Sequence, residues 1–308
     1  MSSSEPRLVF IVGPTGVGKT AVALRLAEIL GGEIISCDSM QVYRGFDIGT
    51  DKPTRQEQAR VPHHLVDIVE AGTQFNAADF AAQAVAAISQ IRNRSRRPFV
   101  VGGTGLYFKA LEDGLFPGPG RDEAVRRALD EEARRLGSEA LWERLARIDP
   151  VYAAKTGRRD RVRIVRALEV QTLTGRPFSD HFKATESPLS GERPVKIGLE
   201  RPRAELYRRI EERVDRMFAG GLVEETRNLL ARGVPDTAPP FKAFGYKHVL
   251  LFLRGRIGLD EAADLAKIDT RHYAKRQLTW FRKMPGVRWI DPGETDPLPF
   301  LSEARKET

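Results

Sequence analysis

The sequence predicts an α/β fold, a parallel-sheet core interrupted by an all-helical insertion. Three observations carry this reading. Short apolar runs of strand length alternate with helical patterns over the first hundred residues, the signature of a sheet whose strands are buried on both faces. From Arg121 to about Lys183 the pattern is helical and Arg-rich, with no convincing strand. Strand character then returns at Pro194-Val-Lys-Ile-Gly-Leu199.

Taken in order, Leu8 to Val12 forms a buried strand ending at Gly13. Ala21, Leu24, Ala27 and Leu30 follow at helical spacing, and Gly31-Gly32 supplies a stop. Glu33 to Ser36 reads as a second strand and Leu65 to Val69 as a third. Asn76 is an N-cap with Asp79 three residues on, opening an Ala-rich helix to about Asn93. Pro98 to Val101 is a further buried strand, closed by Gly102-Gly103. The character changes at Pro117-Gly-Pro-Gly120, and a polar loop spans Ala184 to Arg193. The last third predicts helices over Glu205–Ala219, Leu222–Ala231 and Asp260–Lys283, a strand over Val287–Ile290, and a disordered tail from Ser302 to Thr308. The domain expectation is therefore a core of 1–117 and 194–308 with an insertion at 118–193. There is no internal repeat.

Composition narrows the class. The chain has 308 residues, 41% hydrophobic and 30% charged, with net charge +8, which is too apolar for wholesale disorder. No uncharged apolar run approaches the ~18 residues of a membrane span, and Met1-Ser-Ser-Ser-Glu-Pro6 has no secretory pattern. Cys37 is the sole cysteine, which excludes disulfide frameworks and Cys-rich zinc sites and fits a reducing cytoplasm. His63 and His64 lack ligand spacing to any carboxylate or thiol cluster, so no structural metal is expected.

Gly13, Pro14, Thr15, Gly16, Val17, Gly18, Lys19 and Thr20 match G-x-x-x-x-G-K-[ST] between a strand and a helix. Such a P-loop NTPase-like arrangement points consecutive backbone N–H groups at phosphate oxygens. Lys19 adds a full charge, and the Thr20 hydroxyl suits Mg²⁺. The bland alternative, a Gly-rich turn without a ligand, leaves the strand–motif–helix context unused. Hydrolytic P-loop enzymes also need a carboxylate ending a second apolar strand. Pro98 to Val101 ends instead in Gly102-Gly103-Thr104-Gly105, and the carboxylate at a strand end is Asp38. A loop that holds a diphosphate without cleaving a terminal phosphate fits this pattern. Asp38 alone could equally be a helix cap or a loop-ordering residue. Its place at the carboxyl edge of a parallel sheet favours function.

Together with the P-loop, several segments resemble the tRNA dimethylallyltransferase (isopentenyltransferase) family, in its bacterial form. They are Asp38-Ser-Met-Gln-Val-Tyr43, Asp47-Ile-Gly-Thr-Asp-Lys-Pro53, Val100-Val-Gly-Gly-Thr-Gly-Leu-Tyr107, Arg166-Ala-Leu-Glu-Val170, Gly245-Tyr246 and Lys275-Arg-Gln-Leu-Thr-Trp-Phe-Arg282. The resemblance covers about residues 7 to 290. One departure is Asp51, where the family motif often has Ala. The resemblance implies transfer of a dimethylallyl group from dimethylallyl diphosphate to N6 of adenosine 37 in tRNA. Asp38 would be the general base, Thr104 would orient the reacting groups, and Arg213 would bind diphosphate with the P-loop and Mg²⁺. It also implies tRNA contacts from Asp38, Ser39, Met40, Gln41 and Thr104 around the extruded base; since Asp38-Ser-Met-Gln41 sits where that base should arrive, Gln41 is expected to read it or its neighbours. Further contacts are implied at Phe241, Lys242, Gly245 and Tyr246, and at Lys275, Arg276 and Arg282.

For the insertion, Lys155 to Arg166 holds six basic residues and one acidic residue. A helix from about Asp160 sets Arg163 and Arg166 one turn apart, with Ile164 and Leu168 packing on another face. Arg126 starts a second basic stripe. This suits RNA phosphates, and the resemblance adds Val162, Ile164 and Val165 to the contacting segment. The alternative is a solvated helix held by its own ion pairs. On the C-terminal helix, Trp280 and Phe281 read as core rather than base-stacking. Two rival functions remain: a P-loop small-molecule or nucleoside kinase using ATP, and an RNA-binding module with a structural P-loop. The expected partner is the tRNA anticodon stem-loop. No obligatory protein partner and no membrane are expected, and the chain is read as a monomer.

Overall fold

The computed structural model describes residues 7–116 and 118–303. The chain divides into two compact units, one of Met1–Glu112 with Gly191–Thr308 and one of Asp113–Ser190. In the first, β1 (Val9–Val12) leads through the P-loop to α1 (Lys19–Leu30) and β2 (Gly32–Cys37). Then come α2 (Arg55–Arg60), β3 (His63–His64), α3 (Ala77–Asn93), β4 (Arg97–Gly102) and α4 (Gly105–Glu112). The second unit holds α5 (Glu123–Leu136), α6 (Ser138–Ile148), α7 (Pro150–Ala153), α8 (Arg161–Thr174) and a 3₁₀ stretch over Phe178–Ala184. The chain returns to the first unit with β5 (Val195–Leu199), α9 (Arg203–Ala219), α10 (Leu222–Ala231), α11 (Phe244–Leu253), α12 (Leu259–Phe281), β6 (Val287–Ile290) and α13 (Leu298–Glu303).

The six strands form one all-parallel sheet in the order β3-β2-β4-β1-β5-β6. Both α/β character and parallel pairing are therefore as the sequence predicts. β1, β2 and β4 are buried along their whole length, which is why they read as continuous apolar runs rather than alternating ones. Asn76 caps α3 reciprocally with Asp79. In α9, Leu206, Ile210, Val214 and Met217 form the buried stripe and pack toward the sheet core and the neighbouring helices.

The structure departs from the sequence reading in several places. The third strand is His63–His64, paired with Ile34 and Ile35, and not Leu65–Val69. Leu65 and Asp67 have φ of 60° and 55°, and two left-handed residues cannot sit in a strand. The buried face of α1 is Ala23, Leu24, Leu26 and Ala27, while Ala21 is exposed. Trp280 is 39% exposed, unlike its fully buried neighbour Phe281, so it is not a core residue. The expected tail at Ser302 and Glu303 instead completes α13, and 304–308 lie outside the described residues, as does Pro117 at the expected boundary.

The helical unit has its own core. Leu129, Leu141, Leu145, Ile164, Leu168 and Phe178 pack together with their neighbours. Asp160 caps α8 by accepting from the Arg163 N–H. Within this unit Glu169 is 0% exposed and accepts from Arg126 Nε and Nη2 at 2.9 Å each and from Arg166 Nη1 at 2.7 Å. Arg166 also donates to the Pro119 carbonyl at 2.8 Å.

Candidate active site

Sheet register assembles the site. Val12 pairs with Gly102, and Gly102 pairs with Cys37, so three strands end side by side. The P-loop, Asp38 and the Gly103-Thr104 turn consequently leave the sheet at one carboxyl edge. The approach is close: a Cβ on Gly102 would lie 2.0 Å from the Cys37 carbonyl oxygen. Thr15, Lys19, Thr20, Asp38, Gly103, Arg213 and Tyr273 line one cleft of about 530 Å³.

Gly16 and Gly18 have φ of 81° and 106°, values that L side chains rarely adopt. Groups from distant parts of the chain fasten the loop. Arg201 Nε donates to the Val17 carbonyl at 3.1 Å, and Arg209 Nε to that of Gly16 at 2.9 Å. Gln277, buried on α12, accepts from the Thr15 N–H and donates to the Gly103 carbonyl, both at 2.9 Å. Lys19 Nζ rests on the Pro14 carbonyl at 2.9 Å. Desolvation and the nearby Arg213 charge lower the Lys19 ammonium to about 8, against the opposing pull of Asp38, Asp51 and Cys37. Thr20 is exposed at the cleft, and no cluster of three or more His, Cys, Asp or Glu suited to a metal occurs among the described residues. That donor set fits a cation held by one hydroxyl, substrate oxygens and water, the habit of Mg²⁺.

Asp38 follows β2 directly, and its Oδ1 accepts from the Met40 and Gln41 N–H groups at 2.8 and 3.4 Å. It therefore orders its own loop while lining the cleft. Thr104 Oγ1 accepts from the Ser39 N–H at 3.1 Å, tying the β2 and β4 ends together. Tyr273 lines the same cleft, and desolvation together with the Asp38 charge pushes its phenol up, so it stays protonated. The Cys37 thiol is buried and pushed well up by desolvation, so it is not a nucleophile.

Arg213 Nη1 donates to Thr15 Oγ1 at 2.8 Å and lies 3.3 Å from Asp51 Oδ2. The structure thus brings Arg213 to the P-loop across the sheet domain, together with Asp38 and Thr104. Four of its companions, Arg201, Arg209, Tyr273 and Gln277, escape the sequence reading, because each acts on a loop that no local pattern connects to it.

Other expected contacts are corrected. The Gln41 carboxamide is occupied at both ends: Oε1 accepts from Ser36 Oγ at 2.8 Å, and Nε2 donates to the Thr50 and Asp51 carbonyls at 3.2 and 3.0 Å. It braces the loop instead of offering itself to a base. Phe241 and Tyr246 are buried in an aromatic cluster with Phe46, and Ile164 and Val165 in the helical core, so their side chains do not face RNA. Arg126 and Arg166 both pair with buried Glu169, the ion-pair alternative, while each side chain keeps part of its surface exposed. Arg163, Val162, Lys242, Lys275, Arg276 and Arg282 are exposed.

Fold and cleft together define a P-loop-like α/β enzyme in which the loop and the Asp38 carboxylate line one cleft. A family model described as IPP transferase matches residues 41–284. The tRNA dimethylallyltransferase of Geobacter sulfurreducens is 50% identical over 305 residues, 98% of this chain and 97% of that protein. That of Geobacter metallireducens is 51% identical over 295 residues, 96% of each. Among solved structures, the full-length tRNA isopentenylpyrophosphate transferase of Bacillus halodurans aligns with TM-score 0.70 and 42% identity, covering 98% of this chain and 95% of that one. A eukaryotic dimethylallyltransferase acting on tRNA aligns with TM-score 0.75 and 26% identity, covering 97% and 77%. The chain belongs to the IPP transferase family and is a transferase.

Proposed function

We propose that this enzyme transfers the dimethylallyl group of dimethylallyl diphosphate to N6 of adenosine 37 in tRNA, releasing diphosphate. The observation that carries the reading is the facing of two halves of one cleft: a cationic diphosphate cradle of Lys19, Arg213 and loop amides, and the Asp38 carboxylate. The carbon–oxygen bond to diphosphate breaks, the carbon–N6 bond forms, and the N6 proton passes to Asp38. Lys19, Arg213 and the P-loop N–H groups stabilise charge growing on the departing diphosphate. Thr20 would hold Mg²⁺, which when bound supplies further neutralisation of the diphosphate. Thr104, tied to the Ser39 N–H, would orient the reacting groups.

The tRNA anticodon stem-loop would be held through phosphate contacts from exposed basic residues, Arg163 of the helical unit and Lys242, Lys275, Arg276 and Arg282 of the sheet unit. Among the described residues no helix is long and apolar enough to cross a membrane. We place the enzyme in the cytoplasm with its RNA, acting as a monomer. One incubation tests the reading: protein, Mg²⁺ and unmodified tRNA with labelled dimethylallyl diphosphate or with γ-labelled ATP. Label in RNA from the first and none transferred from the second supports prenyl transfer, and the reverse supports a kinase.

A further inference from the structure

The 47–53 loop is fastened at almost every residue. Glu225 accepts from the Ile48 N–H at 3.1 Å and from that of Asp47 at 3.3 Å. The Tyr246 hydroxyl accepts from the Gly49 N–H at 3.1 Å and donates to Glu225. Thr50 Oγ1 donates to the Phe46 carbonyl at 2.6 Å, and buried Lys52 donates to the Tyr43 carbonyl and to Asp47, each at 2.6 Å. The Asp51 backbone is gripped as well: its N–H donates to the Ile48 carbonyl, and its own carbonyl accepts from Gln41. This frame holds Asp51 at φ 53°, a left-handed conformation that most residues avoid. Its side chain, 55% exposed, is thereby aimed at Arg213 with Oδ2 3.3 Å from Nη1, the same nitrogen that donates to Thr15 of the P-loop.

A fixed carboxylate therefore occupies the guanidinium edge that an incoming diphosphate needs. Two anions compete for one fork, and the loop is too well fastened for Asp51 to leave the cleft by backbone motion. We propose that Asp51 is a placeholder anion for Arg213. It neutralises the arginine while the cradle is empty, yields it when diphosphate arrives, and by like-charge repulsion weakens the hold on the diphosphate product. Asp51 is then an affinity-setting residue of the donor site, tuned toward release. The inference rests on the diphosphate reading of the cleft.

The test measures equilibrium binding of inorganic pyrophosphate, with and without Mg²⁺, to wild type, Asp51→Asn and Asp51→Gly. Asn tolerates the left-handed region and Gly adopts it freely, so both remove the charge without loading strain on the loop. The interaction is half solvent-exposed and so screened. The expected gain is roughly 3–10-fold tighter pyrophosphate in both variants, with a slower off-rate. In an Arg213→Gln background Asp51→Asn should give a clearly smaller gain, because only the direct repulsion between Asp51 and the anion is then left to remove. Unchanged affinity in wild type, Asn and Gly proteins overturns the placeholder while leaving the diphosphate cradle standing. Weaker binding confined to Mg²⁺-containing buffer also overturns it, since Asp51 would then be a metal ligand. Wild type that binds neither pyrophosphate nor dimethylallyl diphosphate removes the cradle reading and the placeholder together.

Discussion

The Thr15 N–H donates to Gln277 Oε1 at 2.9 Å, joining the phosphate loop to a helix 262 residues further along the chain. The other end of the same carboxamide holds the Gly103 carbonyl, so one buried side chain sets the spacing between the P-loop and the Thr104 turn. Gln277→Leu leaves a buried N–H and C=O without partners, a loss of about 1–3 kcal/mol in folding stability. The expected kinetic result is a 10–100-fold fall in kcat/KM for the donor, with KM for tRNA little changed. Gln277→Glu keeps the acceptor for Thr15 and should recover part of the loss. Equal defects in both variants would make Gln277 a plain stability residue.

On the proposed reading Asp38 has two tasks that one substitution cannot separate. Asp38→Ala removes both the base and the acceptor for the Met40 N–H. Asp38→Asn can still accept that bond but takes up no proton. Both variants should lose about 10²–10⁴-fold in kcat while retaining pyrophosphate binding. Near-normal single-turnover rates in Asp38→Asn would assign the residue to loop order alone.

The lowered Lys19 pKa gives a pH signature. Donor capture needs the ammonium, so kcat/KM for dimethylallyl diphosphate should fall as pH rises through about 8 in the free enzyme. The folding linkage has the opposite sign. The unfolded lysine keeps its proton up to its ordinary 10.5, so between about 8 and 10.5 the unfolded state binds more protons. The Lys19 contribution to stability therefore rises with pH in that window. A pH series of donor kcat/KM alongside denaturant midpoints checks both arms, and a flat donor profile to pH 9.5 contradicts the first.

In the helical unit, Arg163 and Glu169 should separate cleanly. Arg163 is exposed and only loosely near Asp160, with Nε 3.5 Å from Oδ2. Arg163→Ala should weaken all substrate tRNAs alike and flatten the plot of log K against log[salt] by roughly 0.7–0.9 of a unit, with no change in Tm. Glu169→Ala strands two guanidinium groups and should destabilise the unit by about 2–3 kcal/mol. That is less than the roughly 3–5 of a fully buried pair, because both arginines reach solvent. Thermal unfolding with a tRNA salt titration reads both, and an unchanged salt slope for Arg163→Ala excludes it from the phosphate contacts.

Where local signals were strong, the sequence was readable. The Asn76 cap, the α10 limits and the β6 limits follow from capping chemistry and short apolar runs that need no knowledge of the rest of the chain. Leu65 to Val69 misleads because its apolar residues suit a strand, while the left-handed φ values at Leu65 and Asp67 that forbid one leave no mark on its pattern. α11 is hard to read because Gly245 in its first turn disguises a nearly continuous apolar segment. The cradle was visible because its geometry is encoded in eight adjacent residues. The groups that fasten it come from β5 onward, and an arginine in an amphipathic helix carries no mark showing which carbonyl it will meet.

The strand order has a consequence for synthesis. β1 lies between β4 and β5, and the whole helical unit is encoded between those two strands. While the ribosome translates residues 113–190, one side of the β1 backbone has no strand to bond. Arg201, Arg209, Arg213 and Gln277, which clasp the phosphate loop, do not yet exist. A nascent chain of the first 112 residues therefore carries the complete loop sequence with a bare central edge and nothing to brace it. If the loop binds diphosphate as proposed, that ability is a late event in biogenesis, gained only when the last third of the chain arrives, and release of a chain truncated before β5 would expose a strand edge ready to aggregate.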